Sequence, residues 1–459
     1  MKTPPKLQLP GKPSYLKLTE DHDIFSLFCK IERKYEYCFL FESLGEESYT
    51  SRHHIVGFDP SKLIYASDKN TLCVLDNRSK QKTCYPTENP YETLRAMIPT
   101  DIISRRYCGG LVGYIGYDCA NFFEPSLNIQ GSASFEPFKF GVYLDGLIYD
   151  QVTGEIFYYY YDENRFEEVQ QLVQQAAVSY GETKVTPLGD TMDKATHKAT
   201  VDKVKQDIIS GLIFQCEVGF KTKYKIEGDC LPIYDRLREM NPSPHMYYMK
   251  MAEQKIIGAS PELLFRLRNG EMETFPLAGT TKRGANIKED IQLARGLLNH
   301  PKEIAEHSML VDLHRNDIGR VARFGSVKVR SLMDIKRYSH VQHISSEISG
   351  LLAEGEDMFS ALAANFPAGT LTGAPKIEAM KIINELENEG RGPYGGALGQ
   401  FCFNGDCVFA IPIRSVFICG SEGYAQTSGG NVYDSNAEDE YQEIQHKLSA
   451  MSNVLSSFE

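Results

Sequence analysis

Glu303 and Glu306 stand three residues apart on one predicted helix, and Glu440 and Glu443 repeat that spacing on another. Residues so spaced share a helix face, so each pair presents two carboxylates in one direction. Two such faces brought together make an oxygen-rich cage suited to magnesium, a hard ion that prefers oxygen ligands. Lys447 lies four residues beyond Glu443 on the same face, placed to meet a substrate carboxylate. Taken singly, Glu443 and Lys447 read more simply as an exposed ion pair. Glycine-rich stretches form a second group: Pro276–Thr280, Phe366–Gly373, Tyr394–Gly396 and Ser428–Gly430. Glycine lets backbone amides approach a ligand, and the interleaved threonines add donors. None has phosphate-loop spacing, and each alone reads more simply as a structural turn than as a ligand contact. His340 and His343 form an HxxH without the cysteines or HExxH spacing of a zinc site, so one polar or catalytic and one structural histidine is the better reading. Val311–Arg320 packs four charges and an asparagine into ten residues, which suggests a buried ion network closing a helix.

The elements that must position these groups follow an α+β pattern. Short β-rich runs at Tyr37–Phe41, Thr71–Leu75, Gly109–Tyr117 and Gly141–Tyr161 fill the first half. A helix is expected over Asn164–Ser179 with Asn164 as its cap, followed by a polar linker at Tyr180–Thr200. The second half opens with a helix at Val201–Ser210. Longer helices follow at Ile287–Asn299, Lys302–His314, Met358–Asn365, Lys376–Glu387 and Ala437–Ser456, with Pro301 separating the first two. This divides the chain into an N-terminal portion, 1–185, and a second portion, 195–459, that holds the polar and glycine-rich motifs.

Composition excludes several classes. With 49 basic and 61 acidic residues the net charge is −12, which argues against a nucleic-acid surface. An anionic small substrate remains compatible, because a few cations or a metal can invert the local field. No apolar run approaches the roughly 20 residues of a membrane helix, and no signal-peptide core follows Met1, so a cytoplasmic enzyme is expected. The eleven cysteines are odd in number and lack a CxxC pair, which reads as reduced thiols.

Read in order, the second-half segments resemble the chorismate-utilising family: anthranilate, aminodeoxychorismate, isochorismate and salicylate synthases. The resemblance covers about Gln206–Leu455. It rests on IFQCEVG (213–219), GASPELLFRL (258–267), PLAGTTKRG (276–284), KEIAEHSMLVDLHRNDIGRV (302–321), RYSHVQH (337–343), FPAGTLTGAPK (366–376), YGGALG (394–399), PIRS (412–415) and SNAEDEYQEIQHK (435–447). It implies a large α+β unit of packed antiparallel sheets with outer helices and a cleft for the substrate.

The same resemblance implies roles. Glu306 and Glu443 would bind Mg2+ directly, with Glu303 and Glu440 in its water shell, and the metal would hold chorismate's ring carboxylate beside Gly279 and Thr280. Arg414, Tyr394 and the Ser428–Gly429–Gly430 turn would hold the enolpyruvyl carboxylate, and Lys447 would add positive charge. Glu262 would protonate the departing 4-hydroxyl, while His343 and Thr370 orient the ring. Gln215 stands where isochorismate and salicylate synthases place a water-activating lysine, so the nucleophile here is expected to be ammonia. Ala278 resembles the anthranilate branch, whereas aminodeoxychorismate synthases often place a lysine there. That branch, an isochorismate-forming isomerase and a non-catalytic chorismate or tryptophan sensor are the alternatives.

In the first half, Phe41–Ser43 with Ser51–Gly57, and Asn241–Tyr247, resemble the family's tryptophan feedback pocket. Glu42 and Ser43 would meet the amino acid's ammonium, and Pro244, His245 and Met246 would frame its ring. Departures from the family pattern are His245 for tyrosine, Ser428–Gly430 for GAG, Asn431 for an aliphatic residue and His314 for a small one. No glutamine-amidotransferase stretch occurs, so ammonia is expected from a separate glutamine amidotransferase subunit.

Overall fold

Alternation along the strands sorts side chains into two cores. In Tyr37–Glu42, Phe39 enters one core while Cys38 and Leu40 enter another, as a period of two requires. The computed structural model describes residues 4–18, 22–45, 52–104, 106–337 and 341–459. Among these, the strands form two sheets of twelve strands each. In the first sheet Tyr37–Glu42 pairs antiparallel with His245–Met251, and in the second Gly110–Ile115 pairs antiparallel with Ala397–Cys402. Strands from both portions of the chain therefore join in each sheet.

Phe39, Tyr247 and Phe417 of the first sheet share one core with Phe265, Phe401 and Phe409 of the second, so the sheets pack face to face. Helices Ile24–Lys34, Leu231–Met240 and Ala437–Leu455 bury their apolar stripes against the first sheet's other face. This is the expected α+β architecture of packed antiparallel sheets with outer helices.

Several expectations are corrected. The stretch read as a linker is mostly ordered structure: Thr183–Asp190 pairs antiparallel with Gln215–Gly228. Its Pro187 and Gly189 are tolerated because the register shifts between them at the sheet edge. The next helix, Lys194–Ile209, then begins well before Val201, at Asp193, whose carboxylate accepts from the Thr196 amide. The helix expected to stop near His314 continues to Gly319. The cap expected at Asn164 falls at Arg165, although Asn164 Oδ1 still accepts from the Phe166 amide.

Cys73 and Cys84, expected as thiols, face each other across Thr71–Asp76 and Lys82–Pro86 and form a disulfide with Cα atoms 4.1 Å apart. Strand register brought them together, and their spacing in sequence gave no sign of it. The ion network expected in Val311–Arg320 is half present. Asp317 pairs with Lys376 at 2.7 Å in partly buried surroundings, but Asp312 and Arg315 pair on the surface. No helix among the described residues is long and apolar enough to cross a membrane.

Candidate active site

The catalytic candidates sit where strand ends of both sheets meet two helices. Gln215 opens the strand Gln215–Gly228, and its antiparallel partner Glu422–Asn431 brings Ser428, Gly429 and Gly430 alongside. Glu262 follows the end of Gln254–Ser260, with Ser260 Oγ engaging its backbone. Thr280 on Leu277–Lys282 stands opposite His343 on Val341–Leu351. Helix Pro301–Gly319 carries Glu303 and Glu306, and helix Ala437–Leu455 carries Glu440, Glu443 and Lys447.

Together they enclose a cavity of about 250 Å³ lined by Gln215, Glu262, Gly279, Thr280, Glu306, His343, Thr370, Tyr394, Arg414, Ser428, Glu443 and Lys447. A wider space of about 830 Å³ shares Glu306, Glu443, Lys447 and Arg414 with it and adds Glu303, Glu440 and Gly430. Gly429 lines neither; it backs onto Glu440, whose Oε2 would lie 3.2 Å from a Cβ there. His340 and Ser51 lie outside the described residues.

Burial sets the proton states. Glu262 is 6% exposed, and desolvation pushes its carboxyl up to about 7 against the opposing hydrogen bond from Thr370 Oγ1 at 2.8 Å. At neutral pH it can hold a proton and give it away. His343 is pushed down to about 4, chiefly by desolvation and then by Arg414, so it is neutral. Its Nδ1 lies 3.0 Å from Thr280 Oγ1 and 3.2 Å from the Gly279 carbonyl, contacts that hold the ring in place. Burial pushes Tyr394 up to about 12, which keeps its hydroxyl a donor. Arg414 adopts φ 49°, a left-handed conformation costing about 1–3 kcal/mol in a residue with a side chain. Its carbonyl accepts from the Ala259 amide at 3.2 Å, which ties the strained turn to the strand leading to Glu262.

The acidic pairs fit a divalent cation. Desolvation raises Glu306, and the nearby charges of Glu303 and Glu443 raise it further, a repulsion that a bound cation relieves. Among the described residues no three acidic or histidine side chains form a ready-made metal cage. Gly279 has φ 58°, and a Cβ there would come 2.8 Å from Glu303 Oε2, so glycine is what allows backbone and carboxylate to approach.

Glu217 is the acid that reading the sequence passed over. It lines both spaces and is 8% exposed. Strand alternation held the signal: two residues past Gln215, it must face the same way. Two departures from the family pattern also find partners. Asn431 Nδ2 donates to the Gly429 carbonyl at 3.0 Å, and His314 Nδ1 meets Thr274 Oγ1 at 2.8 Å.

A second cavity, of about 230 Å³, lies between the sheets and is lined by Phe41, Glu42, Ser43, Pro244, His245 and Met246, with Arg266 and Leu398 from the other sheet. The two motifs expected to form one pocket thus do meet. The Glu42 carboxylate is already engaged, accepting from Arg238 Nε at 2.6 Å and the Tyr234 hydroxyl at 2.9 Å. Ser43 and His245 remain as its polar groups on these two strands.

The sequence and the fold both have matches among known proteins. The profile for "chorismate binding enzyme" matches residues 36–453, and the chain belongs to that family. It is 51% identical over 460 residues to anthranilate synthase component 1 of Leptospira biflexa, covering 99% of this chain and 98% of that one. It is 42% identical to the protein of that name from Methanothermobacter thermautotrophicus, covering 95% and 92%. Anthranilate synthase component I of Streptococcus pneumoniae superimposes with a TM-score of 0.77 at 32% identity, covering 88% and 93%. The menaquinone-specific isochorismate synthase of Escherichia coli shares the fold, with a TM-score of 0.73 at 16% identity and coverage of 99% and 96%. Within the family, the chain falls in the anthranilate synthase component 1 group.

Proposed function

We propose that the cavity converts chorismate and ammonia to anthranilate and pyruvate, a magnesium-dependent lyase step of tryptophan biosynthesis in the cytoplasm. The observation that carries this reading is the buried, proton-holding Glu262 in one cavity with Arg414 and the Glu306 and Glu443 carboxylates. Chorismate carries two carboxylates. Arg414 suits the enolpyruvyl one because its planar fork matches a carboxylate with two parallel hydrogen bonds, aided by the Tyr394 hydroxyl and the Gly430 amide. Magnesium, held by Glu306 and Glu443 with Glu303 and Glu440 on its waters, would neutralise the ring carboxylate beside Gly279 and Thr280.

Lys447 adds positive charge, and His343 and Thr370 orient the ring. Glu262 gives its proton to the departing 4-hydroxyl as ammonia adds at ring carbon 2. Gln215 has no basic group with which to deprotonate water, which favours ammonia as nucleophile. Loss of a proton and of pyruvate then leaves an aromatic ring. A glutamine amidotransferase subunit supplies the ammonia in the cell.

The test is direct. Purified chain with chorismate, magnesium and ammonium at alkaline pH is expected to generate anthranilate fluorescence that a chelator abolishes. A non-fluorescent amino-deoxy product moves the chain to the aminodeoxychorismate branch. Untouched chorismate, even with a glutaminase subunit present, leaves the sensor reading.

The second cavity is proposed to bind tryptophan as feedback inhibitor. Ser43 would meet its ammonium, while Pro244, His245 and Met246 frame the ring. This cavity adjoins the strand that leads to the active site: His245 pairs across strands with Ser260, two residues before Glu262. A hydrogen bond to a charged group is worth about 1.5–3 kcal/mol. Ser43→Ala is therefore expected to spare turnover and raise the half-inhibitory tryptophan concentration about tenfold. Unchanged inhibition in a titration of the variant refutes the pocket.

A further inference from the structure

Glu217 takes no part in the steps above, yet its surroundings are built around its carboxylate. Gln215 Nε2 donates to Oε1 at 3.4 Å, and Ser428 Oγ donates to Oε2 at 3.1 Å. The Tyr394 hydroxyl lies 3.0 Å from Ser428 Oγ. The departure at Ser428 from the family's glycine thus supplies a donor to this acid. Gly430 is the register partner of Glu217, and a Cβ there would stand 2.6 Å from Glu217 Oε1 and 2.8 Å from Gln215 Nε2. Glycine keeps that space open.

The charged groups near this carboxylate are Lys447, Glu306, Glu443 and Glu262, all of which line the same cavity. Burying a carboxylate is costly relative to an apolar side chain. A site that needed only packing would not hold one. Burial pushes both carboxyls up to about 7, so near neutral pH one can hold a proton to give while the other is open to take one. Glu262 accepts from one threonine hydroxyl, with the Arg414 and Lys447 charges nearby, whereas Glu217 accepts from the Gln215 amide and the Ser428 hydroxyl, with Lys447 favouring its charge and Glu306 and Glu443 opposing it.

We propose that Glu217 receives the ammonia: its Oε1, beside Gln215, accepts an N–H hydrogen bond from the nucleophile and then the proton that the nitrogen sheds. This rests on the anthranilate-forming reading above. The nitrogen lone pair forms the new bond at ring carbon 2, and the two ring double bonds each move one place. The bond to the 4-hydroxyl breaks, and that oxygen leaves as water with the proton from Glu262. The new ammonium passes one proton to Glu217, so one carboxyl loses a proton, the other gains one, and total charge is unchanged.

The experiment is steady-state kinetics of the full chain with chorismate, magnesium and free ammonium. Glu217→Gln is expected to lower kcat/KM for ammonium at least about tenfold, the loss of one charge-assisted hydrogen bond, with chorismate KM within about twofold of wild type. Glu217→Asp, which keeps a carboxylate on a shorter stem, is expected to recover part of the ammonium term. Should the glutamine variant not fold, the aspartate variant carries the same comparison, with ammonium KM raised and chorismate KM unchanged. A purely structural role would move both KM values together. That result, or no change in either, overturns the assignment while leaving the functional reading intact. A wild-type chain that forms no anthranilate overturns the functional reading, and this inference with it.

Discussion

Glu262→Gln is expected to lower kcat by about 10²–10⁴-fold, the usual contribution of a positioned general acid, while making the fold more stable above neutral pH. The two effects have one cause. Glu262 is buried, and folding raises its carboxyl from an ordinary 4.5 to about 7, chiefly by desolvation. Between those values the folded chain keeps a proton that the unfolded chain has lost, so stability falls as pH rises through this window. The associated stability is fully present below pH 4.5 and gone above about pH 7, a difference on the order of 3 kcal/mol.

Glutamine imitates the protonated acid in shape and charge and still offers an oxygen to Thr370, whose hydroxyl donates to Glu262 Oε1 at 2.8 Å. The variant therefore escapes the loss. Denaturant melts with chelator present are expected to show the two proteins alike at pH 4.5 and the variant ahead at pH 8. Anthranilate fluorescence reports the activity. A variant that keeps wild-type kcat removes Glu262 from the chemistry, whereas equal stability at both pH values would mean that its carboxyl titrates normally.

How far the sequence carried these conclusions depended on whether the signal was local. Helix Ala437–Leu455 was legible because its polar face, its Asn436 cap and its apolar stripe of Ile444, Leu448 and Met451 all lie within one stretch. The same holds for the three-residue spacing of its acids. The sheet arrangement was beyond local reading, since Tyr37–Glu42 pairs with a strand some two hundred residues later and no periodicity records that choice. The Cys73–Cys84 bridge and the true nature of Thr183–Asp190 were missed for the same reason: each is defined by its partner strand.

In the site, charged residues in dense motifs stood out, but Glu217 did not. It sits in an apolar-looking run, and its meaning comes from Ser428 and Gly430, two hundred residues away. Glu42 shows the reverse limit. Its motif lies at the second cavity, but only the fold reveals that Arg238 and Tyr234 already hold its carboxylate.

Glu443→Gln is expected to abolish turnover at ordinary magnesium concentrations while the fold survives. Helix Ala437–Leu455 is anchored by buried Ile444, Leu448 and Met451 on its other face, so nothing in its packing depends on Glu443. The Glu443 side chain is 52% exposed and its partner is Lys447 at 2.8 Å, an exposed pair of the kind that contributes roughly 0–1 kcal/mol. Magnesium binding is another matter. Few protein carboxylates hold such an ion, and each supplies a full negative charge that an amide does not replace.

Glu440 is the control built into the same helix. It is 7% exposed and accepts from Ser435 Oγ at 2.6 Å, so one of its two oxygens is already committed to the protein. Glu440→Gln is accordingly expected to weaken magnesium activation far less than Glu443→Gln. Magnesium titrations followed by anthranilate fluorescence separate the two, and a circular dichroism melt verifies that both variants are folded. Full activity of Glu443→Gln at wild-type magnesium sinks the metal assignment. Equal effects of both substitutions would mean that the helix contributes a diffuse negative field rather than one ligand.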